Sequence, residues 1–459
     1  MSELTQNKMG TAPVGRLLLT MSVPSILSML VQALYNIVDS IFVAKISPDA
    51  LTAVSLAFPV QTLMIAVGVG TAVGVNSLIS RRLGEGRSEE AAHAASHGLF
   101  LAVLGALAFA LFGIFAAEPF FYAFTDSETV AGLGAVYTSI VTIGSLGLFL
   151  QVTIERIFQA TGNMTIPMIT QLTGAIINII FDPIMIFGLL GCPAFGIAGA
   201  AYATILGQVV GMLLGLVLLL CSKRMILKIR LRSFRPNAKI LKDIYAVGFP
   251  AIIMQSIMSI LTVALNAILI GFSDAAVSVL GVYYKLQSFI FMPVFGLTQG
   301  AMPIMGFNFG ARSRHRLMHC LKLSCAAAFV IMTAGMAVFL AAPEWLLGFF
   351  SPTDEMLQIG APALRTISLC FPLAAIGIMA STFFQAIGHG VKSLLISLLR
   401  QLIVILPCAW LFARTIGLAG VWYAFPLSEL VSFAASLWFL AVCYRKEIAP
   451  MPEISTPIL

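Results

Sequence analysis

The stretch FQATG (Phe158–Gly162) returns 226 residues later as FQAIG (Phe384–Gly388). At the same offset Pro24 falls on Pro250, Gln61 on Gln287, Gly70 on Gly296, Gly74 on Gly300 and Gly84 on Gly310. After a five-residue deletion, GIAGAAYA (196–203) falls on GLAGVWYA (417–424). Self-similarity at a fixed offset means that one structural unit is present twice. The fold therefore turns on what a single copy is.

Composition answers that question. Of the 459 residues, 59% are hydrophobic and only 10% are charged, with a mean hydropathy of +1.01; soluble domains carry about 25% charged residues. Apolar runs of about 20 residues or more, the length of a membrane-crossing helix, recur along the whole chain with the charges confined between them. They predict spans near 17–44, 50–80, 92–116, 131–155, 164–190, 195–221, 243–271, 275–307, 317–342, 356–386, 392–413 and 417–443. Each copy thus holds six spans. An even number makes both copies enter the membrane in the same sense, related by an axis along its normal. The expected fold is an all-α membrane protein of about twelve transmembrane helices in two homologous six-helix bundles. Its parts are an N-terminal lobe (1–221), a basic linker (222–242) and a C-terminal lobe (243–459). Two such lobes about a shared cavity are a transporter plan.

Charge sets the orientation. Lys8, Arg16, Arg81, Arg82, Arg87, the linker SKRMILKIRLRSFRPNAKILK, Arg312, Arg314, Arg316, Lys392, Arg445 and Lys446 fall on one side, and only Lys45 and Arg414 on the other. Basic loops stay in the cytoplasm, so both termini and the linker are expected there. The first span is expected to be retained, because it is too long for a signal-peptide core and no small-residue cleavage site follows it. The net charge of +7 is mostly this topology. Seven cysteines show no CxxC or Cys/His metal spacing and read as small core residues. Pro24, Pro59, Pro183, Pro250, Pro293, Pro303, Pro407 and Pro426 lie within spans, where each removes a backbone hydrogen bond and is expected to bend its helix toward protein or water.

Ionisable residues inside spans carry the functional signal. A charge at mid-bilayer costs roughly 2.5–3.5 kcal/mol even on lenient scales, so one kept there has a task. Asp39 lies in the first span, Asp182 in the fifth, Lys285 in the eighth, Arg400 in the eleventh and Glu429 in the twelfth; Glu155 and Asp243 lie nearer span ends. The first and fifth spans both run outward. At 1.5 Å per residue, Asp39 is about 9 Å from the Lys45 end and Asp182 about 14 Å from Gly191, which puts both in the outer half of one lobe. Gln32, Tyr35 or Asn36 share a helix face with Asp39, and Asn178 lies one turn before Asp182. Tyr202 and Thr204 of the sixth span come to similar depth. Such a site suits proton uptake, which needs a carboxylate titrating near ambient pH, or sodium held by Asp39, Asp182, Asn178 and Thr204. The same acids would also serve merely to pin helices. Position 265, the repeat mate of Asp39, is leucine, and no acid matches Asp182 near Pro407. Lys285, Arg400 and Glu429 are expected to form buried ion pairs, couple the lobes or touch substrate, and Gln61 and Gln287 are candidates for the same coupling or substrate roles.

At the level of motifs, VPSILSMLVQALYNIVDSIFVAK, GVGTAVGVNSLISRRLGEGR, NIIFDPIMIFG and YYKLQSFIFMPVFGLTQGAMPIMGFNFGAR resemble the multidrug and toxic compound extrusion (MATE) family, in its MepA-like bacterial branch. The resemblance implies a V-shaped pair of six-helix bundles exporting organic cations or drugs in exchange for protons or sodium. It also implies a cation site at Asp39 and Asp182 with Asn178, for which Thr204 is the nearest threonine match. Members with a C-lobe sodium site carry acids in the seventh and tenth helices; here neither AIIMQSIMSILTVALNAIL nor ALRTISLCFPLAAIGIMASTFFQ has one. A second departure is ERIFQATGN, where the branch has an asparagine-rich stretch, so Glu155 and Arg156 receive no role from the resemblance.

The leading expectation is a secondary active exporter, working as a monomer with no cofactor beyond the coupling ion and no nucleic-acid partner. A lipid-linked glycan flippase of the same superfamily would use a cationic cavity, to which Lys285 and Arg400 would contribute. An intramembrane aspartyl protease would carry a GxGD-type second acid, which FDP (181–183) is not, and no P-loop points to ATP. A passive channel would show a selectivity-filter motif, and none is found.

Overall fold

The computed structural model describes residues 7–221, 227 and 234–452, all helix and connecting turn, with no strand among the described residues. A short α1 (Lys8–Thr11) precedes α2 (Val14–Ala44), α3 (Pro48–Gly84) and α4 (Ser88–Phe115). The brief α5 (Ala117–Phe124) leads to α6 (Glu128–Ile143), α7 (Leu146–Ala160), α8 (Thr165–Phe187) and α9 (Ile197–Cys221). The second half repeats the order with α10 (Ala238–Leu269), α11 (Asp274–Gly310), α12 (Arg314–Ala341), short α13 (Pro343–Gly348), α14 (Asp354–Ser368) and α15 (Phe371–Ala386). It closes with α16 (Gly390–Leu398), α17 (Ile405–Thr415) and α18 (Leu418–Cys443).

Ten stretches are each long and apolar enough to cross a membrane, α16 and α17 counting as one; the bent pairs α6–α7 (44°) and α14–α15 (50°) bring the number to twelve. Each predicted span coincides with one of these helices or pairs. The predicted fourth and tenth spans are broken, at Gly144–Ser145 and Leu369–Cys370, matching places in the two repeats. The prolines expected to bend their helices lie inside continuous helices, so none of them ends its element, and Pro407 sits in the first turn of α17 where few backbone bonds are lost. Most of the expected linker, 222–226 and 228–233, lies outside the described residues. Its end is ordered: α10 begins at Ala238, and Asn237 N donates to His97 Nε2 (2.9 Å).

The motif that announces the repeat is a helix stop. Gly162 and Gly388 take φ of +87° and +93°, and the following residues close the turn, Asn163 N to Phe158 O (3.0 Å) and His389 N to Phe384 O (2.7 Å). A left-handed glycine that caps a helix in this way is why the motif is kept in both copies.

The chain packs into two compact units. Of the described residues, one holds 27–83, 87–221, 227 and 234–252; the other holds 7–26, 84–86 and 253–452. Relative to chain order, the first part of α2 and the first part of α10 have changed places, and the two dividing points again lie 226 residues apart. In the first of these units the core is rich in small side chains, with Ala53, Ala57, Ala102, Ala106, Ala131 and Ala200 buried around Phe121 and Phe149. Small residues let helices approach closely where lipid supplies no hydrophobic drive between them.

Candidate functional site

Close helix contact builds the site. At the crossing of α8 and α9, a Cβ on Gly207 would come within 2.6 Å of the Gly174 carbonyl, and one on Gly174 within 3.0 Å of the Gly207 carbonyl. With both positions bare, the helices meet backbone to backbone. Asn178, one turn beyond Gly174, is thereby held against Thr204 of α9, and its Nδ2 lies 3.4 Å from Thr204 Oγ1. The same Nδ2 donates to Asp182 Oδ1 (3.3 Å), one further turn along α8. Asn178 and Asp182 are both buried, at 3% and 0% exposure.

Asp39 reaches this cluster from α2. Its carboxylate and that of Asp182 face each other closely enough to share a proton in a hydrogen bond. Asp39 Oδ1, Asp182 Oδ2 and Asn178 Oδ1 are buried with no hydrogen-bond partner among the described residues. Two facing carboxylates repel when both are charged, and low surrounding polarity magnifies the repulsion. One proton between them, or a small hard cation among the three oxygens, satisfies the orphaned atoms and removes the repulsion.

Two phenols complete the surroundings. Tyr35 and Tyr137 lie within electrostatic reach of both acids, and Gln61 Nε2 donates to Tyr137 Oη (3.0 Å), fixing the ring from α3. Tyr137, on α6, was not among the sequence candidates. Its one signal is a phenol inside the apolar run AVYTSIV, where a hydroxyl needs a partner.

The remaining candidates disperse. Gln32 is exposed, and the side chain of Asn36 lies outside the described residues. Tyr202 is 43% exposed and packs edge-on against Phe195, because two positions before Thr204 is the other side of α9. Lys285, expected to form a buried ion pair, couple the lobes or touch substrate, is exposed with its ammonium 5.7 Å from the Phe350 ring centre, which excludes the buried ion pair. Gln287 is half-buried on α11. Arg400 and Glu429 do pair, Nε to Oε1 at 3.6 Å, where a π-helical turn (Leu399–Ile403) joins α16 to α17. Glu429 Oε2 has no hydrogen-bond partner among the described residues. A separate cavity of about 240 Å³ is lined by Val67, Gly68, Leu101, Gly105 and Phe149 and by none of these residues.

A family model described as MatE matches residues 24–184 and 250–411, one match in each repeat. A FAD transporter of Shewanella oneidensis is 27% identical over 92% of this chain and 93% of its own length. The multidrug export protein MepA of Staphylococcus saprophyticus is 25% identical over 91% of each chain. Among solved structures, an outward-facing multidrug resistance MATE family transporter of the MOP superfamily superimposes with a TM-score of 0.89 at 29% identity, over 95% of this chain and 98% of that one. A MOP superfamily transporter from Pyrococcus furiosus, described as having a binding pocket of reverse polarity, also gives 0.89 at 29% identity, over 96% and 98%.

Proposed function

Because this chain belongs to the MatE family of membrane transporters, we propose that it exports small organic molecules from the cytoplasm in exchange for protons, or sodium ions, bound at Asp39 and Asp182. One observation carries this reading: two facing carboxylates buried in one unit, each with an oxygen that has no donor. A proton fits them with the fewest assumptions, since it turns one acid into the donor that the other lacks. Asn178 Oδ1 and Thr204 Oγ1 supply the additional oxygens that a sodium ion would use.

In this reading the cycle is alternating access in the bacterial cytoplasmic membrane, with both termini and the basic loops in the cytoplasm. Cation entry from outside neutralises the acid pair and favours the state that has released its substrate. One elementary charge crossing the field adds about 2.3 kcal/mol per 100 mV to the drive when the exchange is not electroneutral. Asn178 and Thr204 position the acids, and Gln61 holds Tyr137 beside them.

The substrate has two supported readings. Similarity to MepA favours cationic or amphipathic drugs. Similarity to a protein named as a FAD transporter over 92% of this chain favours a nucleotide-like organic anion. The experiment that tests the function is uptake into inside-out proteoliposomes under imposed proton or sodium gradients, with a cationic dye and FAD as alternative cargo. Gradient-dependent movement of either cargo supports coupled export, and movement that ignores both gradients contradicts it.

A further inference from the structure

Glu155 is a buried carboxylate, 4% exposed, that takes no part in the Asp39–Asp182 site. It projects from the penultimate turn of α7. Gln151 Nε2 and Thr170 Oγ1 donate to its Oε1 (both 3.0 Å), and Gln171 Nε2 donates to its Oε2 (2.9 Å). None of these donors is charged. Arg156, the base that acts on it, turns its guanidinium to Gln159 Oε1 (2.9 Å) instead. Among the described residues the neighbouring helices add no ion pair to it. On α8 the only acid is Asp182, and α9 carries Tyr202 and Cys221. On α4 lie Glu89, Glu90, His93 and His97, the last held by the His93 carbonyl and Asn237 N. On α3, Arg81 donates to Ser77 O and Arg82 pairs with Glu90 and Asp243. A buried carboxylate without a paired cation is costly while charged, and binding a proton is the usual remedy.

The surroundings accommodate both protonation states. Thr170 Oγ1 lies 3.0 Å from Glu155 Oε1 and 2.9 Å from the Pro167 carbonyl, and a hydroxyl has only one proton to give. Toward a charged Glu155 it donates. Toward a protonated Glu155 it rotates, donates to Pro167 O and accepts the new O–H. Neither state leaves a buried oxygen stranded.

Position adds a second argument. Thr170 stands near the start of α8 and Asp182 near its end, about 18 Å apart along the helix. Polar side chains fill the interval: Asn178 on α8, Thr204 and Gln208 one turn apart on α9, and Gln151 against Gly211. Gln208 Oε1 is buried without a partner. The repeat then acts as an internal control. The mate of Glu155 is Ser381, bonded to Ser393 (2.6 Å), just as the mate of Asp39 is Leu265. Both acids occur in the same unit and are missing from the equivalent positions of the other.

We propose that Glu155 is a second proton-binding site of the unit that holds Asp39 and Asp182, placed at the basic-loop end of α8 and exchanging its proton with the cytoplasm. The role rests on the proton-coupled reading above. Once the cargo has left on the outer side and the transporter has returned to its cytoplasm-open state, the proton leaves Glu155 as H⁺ to the cytoplasmic solution and the carboxylate reforms, its three donors already in place.

Infrared titration of the purified full-length protein tests the site without transport. Acidification should raise a carboxylic-acid C=O band that is lost in Glu155→Gln, retained in Asp39→Asn/Asp182→Asn, and shifted rather than lost in Glu155→Asp. In inside-out proteoliposomes, Glu155→Gln should flatten the dependence of transport on cytoplasmic-side pH by at least tenfold and leave the dependence on the opposite side. An unchanged infrared titration in Glu155→Gln, or an unmoved band in Glu155→Asp should Glu155→Gln not fold, overturns the site. Wild-type dependence on cytoplasmic-side pH in Glu155→Gln overturns its role. Full coupling in Asp39→Asn would instead overturn the acid-pair reading and leaves the infrared result standing.

Discussion

Asp39 and Asp182 each carry an oxygen that no donor reaches among the described residues, and this shapes what their substitution does. Asparagine in place of either brings its own N–H₂ donors to the other acid and removes the repulsion that a proton relieves. We therefore expect Asp39→Asn and Asp182→Asn to fold with unchanged or raised melting temperature and to lose gradient-driven transport by at least tenfold. A melting curve and a flux assay on one preparation check both halves. Asn178→Ala removes the donor to Asp182 Oδ1 and should cost about 1–3 kcal/mol, read as a lower melting temperature. Arg400 and Glu429 behave differently. Glu429→Gln leaves the partly buried Arg400 guanidinium without its counter-charge and should destabilise by about 1–3 kcal/mol, whereas Arg400→Met/Glu429→Met should recover most of the loss. The acids were legible in the sequence because a charge in an apolar run is conspicuous. Tyr137 was not, because a phenol in such a run is ordinary and its partner Gln61 lies on another helix, 76 residues away. The buried ion pair expected of Lys285 is not formed for a related reason: depth in a span does not tell which side of the helix a long side chain takes.

At the scale of elements, the α8–α9 crossing is the most exposed to mutation. A side chain at Gly207 meets the Gly174 carbonyl, so Gly207→Leu should wedge the helices apart, separate Thr204 from Asn178 and abolish coupled transport, at a stability cost of about 1–3 kcal/mol. Retained transport with a normal melting temperature would contradict the crossing. The repeat marked Gly162 and Gly388 as matching places, and the structure shows what they share: a left-handed glycine that closes a helix. The repeat did not disclose the break at Gly144–Ser145, where only a glycine and a serine interrupt the apolar pattern; at Leu369–Cys370 the signal was present in Pro372, which starts α15, and was passed over. The other prolines drew attention elsewhere. Within a helix, proline loses a hydrogen bond yet need not end the element.

For the whole molecule, the number of spans followed from composition and the duplication from simple self-comparison. The exchange of the first parts of α2 and α10 between units did not, because apolar pattern reports burial and not which neighbour supplies it. Sidedness is open to direct measurement. In a cysteine-free background, Asp126→Cys should react with an impermeant maleimide in intact cells and Lys446→Cys only after permeabilisation, both positions being exposed. The reverse pattern would invert the proposed orientation. The central claim, that the buried acid pair couples a cation gradient to export, is tested most directly by flux in proteoliposomes with imposed proton or sodium gradients, wild type against Asp39→Asn. The account predicts gradient-driven flux in the wild type, stronger with protons, and its loss in Asp39→Asn; full gradient-driven flux in Asp39→Asn would contradict it.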